Sequence, residues 1–430
     1  MAVNSFLSYF KKPVFLSALL CAFVFYSGLL VIPERNPFFS LIEKNQITQI
    51  SGTLLSSPAR LSNGRYYSAS FSLSSVSSRE NLTSSAKGRI KVFIPSALAE
   101  AYFPGKLYSQ IKQNQKAAGS PSSGFLYESG GNYVFTGKLS DNVFYVKSCK
   151  SGYWKQDWKG RLAKFRALCR LQFKRLMYGW GSGGGLLLAL LCGAREYTES
   201  STQEAFRQAG LSHILALSGM HLSMFSSIAL FFGNRAGIKK LTFFLRIITL
   251  IAFVWFAGFS SSLTRAFISA MLLIASTIAG AKKPDILSIL CFSFLLQSSL
   301  CPQDIHESAF ILSYGALAGI LIFSPFFGHL YSKIFPKAAA SSLSAATSAQ
   351  TFTGPISLKL FGSLCPVGII SAPIVSPFVT LFIYSGLALI VLSLIFPILS
   401  KPSGIFINLQ YTVINHIVKF FSLVPNWSIN

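Results

Sequence analysis

Seven apolar stretches fill the second half of this chain and restrict what it can fold into. They lie at about 211–232, 241–258, 264–280, 286–300, 308–327, 361–380 and 381–398. A helix needs roughly 20 apolar residues to cross a bilayer, and several of these runs approach that length. Charged residues make up 12% of the chain, about half of their share in an ordinary soluble domain. The sequence therefore predicts a polytopic α-helical membrane protein.

The N-terminal region predicts one further span. An apolar run at 14–32 follows Lys11 and Lys12, and no small-x-small cleavage site comes after it. Basic residues before a span favour a cytoplasmic N-terminus. We therefore interpret 1–32 as an uncleaved transmembrane anchor, and a cleaved signal peptide is the alternative.

Residues 33–152 have a different pattern, in which apolar and polar residues alternate over short segments separated by Ser, Gly, Asn and Pro clusters. This pattern is typical of short strands joined by turns. About five strands would fit a small barrel of the oligonucleotide-binding (OB-like) type, although other small barrels fit too. With a single span before it, the domain is expected outside the cytoplasm. Its net positive charge and aromatic residues such as Tyr66, Tyr67 and Phe71 predict weak binding of single-stranded DNA.

Residues 153–180 predict a basic amphipathic helix. Leu162, Phe165 and Leu168 mark an apolar face, and Arg170 and Lys174 belong to the basic remainder. Such a helix suits the surface of an anionic membrane. Contact with nucleic acid is the alternative.

The membrane region 181–430 is poor in carboxylates. Residues 211–430 contain 12 Lys or Arg but only Asp285, Asp304 and Glu307 on the acidic side. A cation path or proton relay would use carboxylates, whereas a basic interior suits a polyanion. Basic cytoplasmic loops alone would also explain part of this charge.

The stretch GLSHILALSGMHLSMF at 210–225 carries unusual polarity for an apolar run. His213, Ser218, Gly219 and His221 lie within it. Polar groups at bilayer depth are costly, so they face a cavity or another helix. Two histidines eight residues apart are ~12 Å apart on a helix and cannot hold one metal by themselves. The residues alone allow two interpretations, which are packing between helices and a polar pathway.

Four blocks in order resemble the ComEC competence protein family. They are GLLLALLCGAREYTESSTQEAFRQAGLSHILALSGMHLSMF (185–225), WFAGFSSSLTRAFISAMLL (255–273), SAFILSYGALAGILIF (308–323) and GIISAPIV (368–375). The family's usual Asn in the last block is replaced by Gly368. The β-rich region 33–152 also lies where the family carries an OB-like domain.

This resemblance implies a channel that passes one strand of transforming DNA across the bacterial inner membrane. It implies no enzymatic activity, metal or cofactor in this chain. Expected partners are single-stranded DNA, the lipid bilayer, a separate DNA-binding receptor and an ATP-driven translocase, since no GxxxxGK[ST] motif is present. A homo-oligomer is possible within this scheme. The chain also lacks the His-x-His-x-Asp-His pattern of the metallo-β-lactamase-like domain found in many members, so we do not expect it to degrade the other strand.

The predicted DNA pathway is assigned residue by residue. It comprises His213, Ser218, Gly219, His221, Ser260, Ser262, Arg265, Glu307, Ser313 and Pro373. Arg265 would supply the cation for a phosphate backbone, with Glu307 or Asp304 as its counter-charge when DNA is absent, and Pro373 would fix a break in a discontinuous helix. The alternatives are transport of another anion, such as a lipid or small molecule, and an intramembrane hydrolase that uses Ser218 or His221.

Overall fold

The computed structural model describes residues 12–27, 38–61, 64–78, 82–99, 125–140, 142–235, 237–280 and 285–428. The helices in these ranges are α1 Pro13–Tyr26, α2 Ser96–Ala99, α3 Trp158–Gly179, α4 Gly181–Cys192, α5 Ser200–Gln208, α6 Ser212–Leu215, α7 Gly219–Arg235, α8 Lys239–Ala257, α9 Ser261–Ile278, α10 Ile286–Leu300, α11 Ser308–Tyr331, α12 Lys337–Phe361, α13 Gly368–Ile395 and α14 Ser400–Ser422. The strands are β1 Phe39–Ser40, β2 Ile47–Leu54, β3 Ala59–Arg60, β4 Tyr66–Ser78, β5 Thr83–Lys87, β6 Arg89–Pro95, β7 Asn132–Ser140, β8 Val143–Tyr153, β9 Ser363–Leu364 and β10 Trp427–Ser428.

The polytopic helical class is confirmed. Four helices are long and apolar enough to cross a membrane: Lys240–Ala257, Ser261–Ile278, Ser308–Tyr331 and Gly368–Ile395. The predicted anchor appears as the shorter apolar helix α1, which packs against α10, and Lys12 at its start pairs with Asp285 at the start of α10. Residues 1–11 and 28–32 of the predicted anchor lie outside the described residues.

Two predicted spans join into one helix. The runs 361–380 and 381–398 are predicted as separate spans, but α13 covers Gly368–Ile395 and continues through Pro373 and Pro377. The expected break at Pro373 is therefore wrong. A proline within a helix removes one backbone hydrogen bond without having to end the helix when neighbouring helices support it.

A further helix escaped sequence reasoning because small polar residues fill it. The 25-residue α12 is rich in Ala and Ser and packs along α11. Ser324 and Ser344 hydrogen-bond across this pair at 3.1 Å, and a Cβ on Gly319 would lie 2.5 Å from the carbonyl oxygen of Ser348. Close packing through small residues needs no long apolar run, so hydropathy gives little sign of it.

Within the predicted β domain, strand pairing forms a circuit. β2 pairs with β4, β4 with β6, β6 with β8, β8 with β7, and β7 again with β2. All these pairs are antiparallel except β6–β8. The inward side chains of the five strands form one core, which includes Phe71, Phe135 and Phe144. The OB-like assignment itself stays a prediction.

The β domain corrects one expectation about its aromatic residues. Side chains along β4 alternate between the core and the outside, as the period of two requires. Tyr67 and Phe71 are 2% and 0% exposed and belong to the core, so they are not available to a ligand. Tyr66 lies on the outer face.

Helix α3 is present as predicted, and its membrane-surface role stays a prediction. Leu162, Phe165 and Leu168 are exposed, whereas Arg170 and Lys174 are buried. The two cations face inward because Glu128 of the β domain and Glu196 of the α4–α5 connection lie there. Arg170 and Lys174 therefore join α3 to other parts of the protein, while the apolar residues Leu162, Phe165 and Leu168 remain exposed.

The contacts of α3 form a buried ion network. Lys174 lies 3.2 Å from Glu128 and 3.0 Å from Glu196, and Arg170 lies 3.3 Å from Glu128. The Arg170 guanidinium also donates to the carbonyl oxygens of Phe256 and Ala257, the last two residues of α8. Burial alone would raise the pKa of Glu128, but Lys174, Arg170 and a hydrogen bond from Ser57 lower it to about 2.

Candidate functional site

The polar stretch at 210–225 contains a break between two helices. The prediction of one span over 211–232 is wrong, because the four-residue α6 ends at Leu215 and α7 begins only at Gly219. The backbone N–H of Ser218 donates to Nδ1 of His221 at 3.2 Å, and the Ser218 hydroxyl lies 3.3 Å from the same atom. A side chain at the third helical position that reaches back to the residue before the helix is a capping arrangement. Ser218 and His221 thus fix where α7 begins.

Capping also sets the tautomer of His221. Because Nδ1 accepts the Ser218 N–H, the ring proton belongs on Nε2. His221 is 0% exposed, and its Nε2 has no hydrogen-bond partner among the described residues. An unpaired buried donor is costly, so this N–H is available to an acceptor that enters the site.

Arg265 reaches the same helix end from α9. Ser260 caps α9 by accepting the N–H of Leu263, and Arg265 follows one turn later, 7% exposed. A Cβ built on Gly219 would lie 3.1 Å from Nη2 of Arg265. The guanidinium therefore packs directly on the first residue of α7, where a Cβ would press against it.

No carboxylate balances Arg265 among the described residues. Its guanidinium forms no ion pair there, and its Nε has no hydrogen-bond partner. The expected pairing with Glu307 or Asp304 is therefore wrong: Glu307 is exposed, and the Asp304 carboxylate accepts from Gln297 at 2.8 Å. The contact that Arg265 does make is with the face of Tyr314, 6.0 Å from the ring centroid.

Tyr314 and Gln297 are site residues that sequence reasoning missed. The Tyr314 hydroxyl donates to Oε1 of Gln297 at 3.0 Å, and Nε2 of Gln297 donates to the carbonyl oxygen of Ser261 at 3.0 Å. Gln297 is 0% exposed and thereby joins α9, α10 and α11. A glutamine in the middle of an apolar helix was the available signal, because buried amides need partners.

The two remaining serines of the prediction meet each other. The hydroxyls of Ser262 on α9 and Ser313 on α11 lie 2.8 Å apart. Ser313 precedes Tyr314, so this contact and the ring contact with Arg265 place α9 against α11 at one level. The structure thus brings together Ser218, Gly219, His221, Ser260, Ser262, Arg265 and Ser313 along α7, α9 and α11.

Three predicted residues lie outside this arrangement: the exposed Glu307 described above, His213 and Pro373. His213 is on the short α6 and is exposed, whereas His221 is fully buried. Pro373 lies inside α13, whose first turn contacts the segment before α6: the Ser371 hydroxyl donates to the carbonyl oxygen of Ala209 at 2.7 Å. This hydrogen bond ties α13 to the segment that precedes the break.

The arrangement is suited to binding an anion. The first N–H groups of a helix have no intrahelical partner, and the helix dipole adds positive potential at that end. Arg265 brings further donors to the start of α7, and the Nε2–H of His221 belongs to the third residue of that helix. Phosphate and carboxylate groups bind at such helix ends.

Fold and site together define a polytopic helical membrane protein with a buried arginine at a helix N-terminus that has no carboxylate partner in the described part of the chain. The model of the Competence protein family matches residues 190–430, more than half of the chain. The chain belongs to this family.

One curated relative is ComE operon protein 3 of Bacillus subtilis (strain 168), which is 24% identical over 203 residues. The match covers 47% of this chain and 25% of that protein. No solved structure matches.

Proposed function

We propose that this chain takes part in DNA uptake during competence and passes single-stranded DNA across the bacterial inner membrane. The observation that carries the proposal is Arg265, buried and without a carboxylate partner among the described residues, beside the N-terminus of α7. A phosphate of the DNA backbone would supply the missing anion. The family to which the chain belongs is named for competence, and this supports the proposal independently.

Passage requires that the anion be held only briefly. The site offers one guanidinium, one imidazole N–H, hydroxyls at Ser262 and Ser313, and the amides of one helix end. A conducting site needs binding that is favourable enough for entry and weak enough for exit. A row of phosphates could pass such a site one at a time.

The remaining parts of the proposal concern placement and partners. The β domain lies outside the cytoplasm, where it first meets incoming DNA, and a separate receptor and ATP-driven translocase deliver and pull the strand. Ser85→Cys in intact cells checks the orientation: a membrane-impermeant thiol reagent should label it from outside, and labelling only after the membrane is opened rejects the placement.

Arg265→Ala tests the proposed function. In cells given labelled DNA, the variant should bind DNA at the surface normally while entry into the cytoplasm falls by at least about 100-fold, because an intramembrane phosphate loses its cation. Arg265→Lys should retain part of the activity, since a lysine keeps the positive charge. Protein level in the membrane is measured alongside.

Arg246→Ala is the matched control. Arg246 also lies on an apolar helix, α8, but its Nε already donates to the Ser226 hydroxyl at 3.1 Å. Entry should stay within about threefold of the parent. Normal entry in Arg265→Ala would reject the pathway, and equal loss in both variants would show that any intramembrane arginine is needed for assembly.

A hydrolase that uses Ser218 is the rival that the geometry addresses most directly. The 3.3 Å contact between Ser218 and His221 resembles a nucleophile and base, but the pair is explained by capping of α7. We propose that the chain is not an enzyme. Ser218→Gly keeps a capping residue and removes the hydroxyl, so DNA entry should persist in this variant.

A further inference from the structure

The outer face of the β domain carries a cluster of three aromatic rings. Tyr66 lies 6.2 Å from Phe93 and 6.0 Å from Tyr145, and Phe93 lies 5.4 Å from Tyr145, as measured between ring centroids. Tyr145 is 40% exposed, and the other two rings are half-buried. We call Tyr66, Phe93 and Tyr145 the aromatic platform.

Strand register places these rings together. Phe93 of β6 lies opposite Tyr145 of β8, and Tyr145 lies opposite Lys138 of β7. The residues next to the rings along each strand, including Ile94 and Phe144, point into the core. The platform is therefore held by the same alternation that builds the core of the β domain, which restricts the movement of its rings.

Lysines surround the platform. Lys91, Lys138 and Lys147 are exposed. Lys91 lies two residues before Phe93 on β6, and Lys147 lies two residues after Tyr145 on β8. Residues two apart on one strand lie about 7 Å apart on the same face. The strands β2, β4, β6, β7 and β8 contain no Asp or Glu. A groove of about 580 Å³ runs beside Tyr145, lined by Lys138, Lys147, Pro95 and Thr136 among others.

Aromatic rings flanked by lysines are complementary to a polymer that presents flat aromatic bases and negatively charged phosphates in alternation. We propose that the aromatic platform binds single-stranded nucleic acid, with bases stacked on the rings and phosphates on Lys91, Lys138 and Lys147. Stacking on aromatic side chains tolerates any base, and a basic groove follows the backbone. That this nucleic acid is DNA rests on the proposed function.

A lipid surface is the less fitting partner for this face. Binding at a membrane interface uses apolar side chains that project into the headgroup region. Tyr66 and Phe93 are set between neighbouring side chains of the sheet, and the outward neighbours of the rings are lysines and serines. The face is therefore shaped for contact with flat groups.

The test uses the full chain in nanodiscs of zwitterionic lipid and a fluorescent oligothymidylate of about 12 nucleotides. Tyr145→Ala should raise the Kd about tenfold or more, because one stacking ring is lost. Tyr145→Phe should stay within about twofold of the parent. Lys147→Gln should weaken binding and reduce the slope of log Kd against log salt concentration, since one phosphate contact is lost.

Tyr153→Ala is the matched control, because Tyr153 lies on the same strand, is 58% exposed and is eight residues away from Tyr145. It should leave the Kd unchanged within about twofold. No binding by the parent, equal effects of Tyr145→Ala and Tyr153→Ala, or a Tyr145→Ala effect on anionic vesicles without one on the oligonucleotide would each overturn the proposal.

The outcome is separable from that of the proposed function. Oligonucleotide binding that depends on Tyr145, in a protein whose Arg265→Ala variant imports DNA normally, would keep the platform and reject the pathway. Loss of import in Arg265→Ala, with binding that does not depend on Tyr145, would reject the platform alone.

Discussion

Buried cations are treated in two different ways within this molecule. On α3, Arg170 and Lys174 are 5% and 7% exposed and are matched by Glu128 and Glu196. On α9, Arg265 is equally buried at 7%, yet it faces a helix N-terminus and forms no ion pair in the described part of the chain.

This difference indicates a structural role for Arg170 and Lys174 and a binding role for Arg265. A buried charge that only stabilises a fold needs a partner, because desolvation costs several kcal/mol per ion in real proteins. The network on α3 meets that requirement and joins the β domain to the helices. Arg265 does not meet it, and the aromatic face of Tyr314 is weak compensation for a full charge. Arg265 is therefore the cation whose partner we expect to come from outside the chain.

Replacing Arg170 and Arg265 by methionine, one at a time, should affect the stability of the protein very differently. Arg170→Met leaves Glu128 with one cation fewer and removes the donor to the last carbonyls of α8, so the free energy of unfolding should fall by ~3–5 kcal/mol. Arg265→Met keeps a similar side-chain volume and removes a buried charge that has no carboxylate partner in the described part of the chain. The free energy of unfolding should therefore fall by less than ~1 kcal/mol, or it should rise.

Thermal unfolding of the two purified variants in one detergent provides the measurement. An equal loss of stability in both would mean that Arg265 has a structural partner after all, and the contrast between the two cations would disappear.

Low pH should weaken the buried ion network around Glu128. The pKa of Glu128 is lowered from its ordinary value of 4.5 to about 2, so its contribution is fully present above about pH 5 and is lost as the pH falls toward 2. The expected loss is roughly 3 kcal/mol, from 1.36 kcal/mol for each unit of pKa.

Glu128→Gln isolates this effect from the titration of other carboxylates. The unfolding midpoint of the parent should exceed that of the variant at pH 7, and the gap should narrow between pH 5 and pH 3. A constant gap over that range would show that the Glu128 charge is not what holds the network together.

Gly219→Ala should have the smallest effect on stability and still impair DNA entry. The new methyl group would lie 3.1 Å from Nη2 of Arg265 and displace a long, flexible side chain by a few tenths of an ångström. The free energy of unfolding should change by less than about 1 kcal/mol, since alanine also favours the helix. DNA entry should fall several-fold.

Gly328→Ala is the matched control on α11, because its Cβ would meet only the Ser344 hydroxyl at an ordinary 3.6 Å. It should leave entry unchanged. Full entry in Gly219→Ala would indicate that the position of the guanidinium against α7 is not critical.

Sequence reasoning succeeded where a property is local. Apolar length predicts that Ser308–Tyr331 and Ser261–Ile278 can span a membrane, because crossing depends on the segment itself. Period-two alternation likewise predicts the strands, and the unusual polarity of 210–225 marks the stretch that the structure brings to Arg265. Even the break at 216–218 had a signal, since Ser218 and His221 stand at the two positions of a capping arrangement.

Non-local contacts were the part that the sequence could not supply. The inward turn of Arg170 depends on Glu128, 42 residues earlier in the chain. Asp304 and Glu307 are predicted as partners of Arg265 because they lie just before the block 308–323 in the sequence. In the structure, the Asp304 carboxylate instead accepts a hydrogen bond from Gln297. Pro373 was expected to break its helix on local grounds, and the packing of α13 overrides that preference.

The pairing circuit of the β domain also limits how copies of this protein can associate. Exposed strand edges invite a second chain to add to the sheet, which leads to strand exchange or aggregation. Each of the five circuit strands has two partner strands, but β8 pairs with β6 only at Val143, Phe144 and Tyr145, so residues 146–153 of β8 are paired on the β7 side alone. Lysines on an open edge oppose the addition of a second strand, and Lys147 and Lys150 both lie on this stretch, so charge repulsion would disfavour pairing between the β8 strands of two copies.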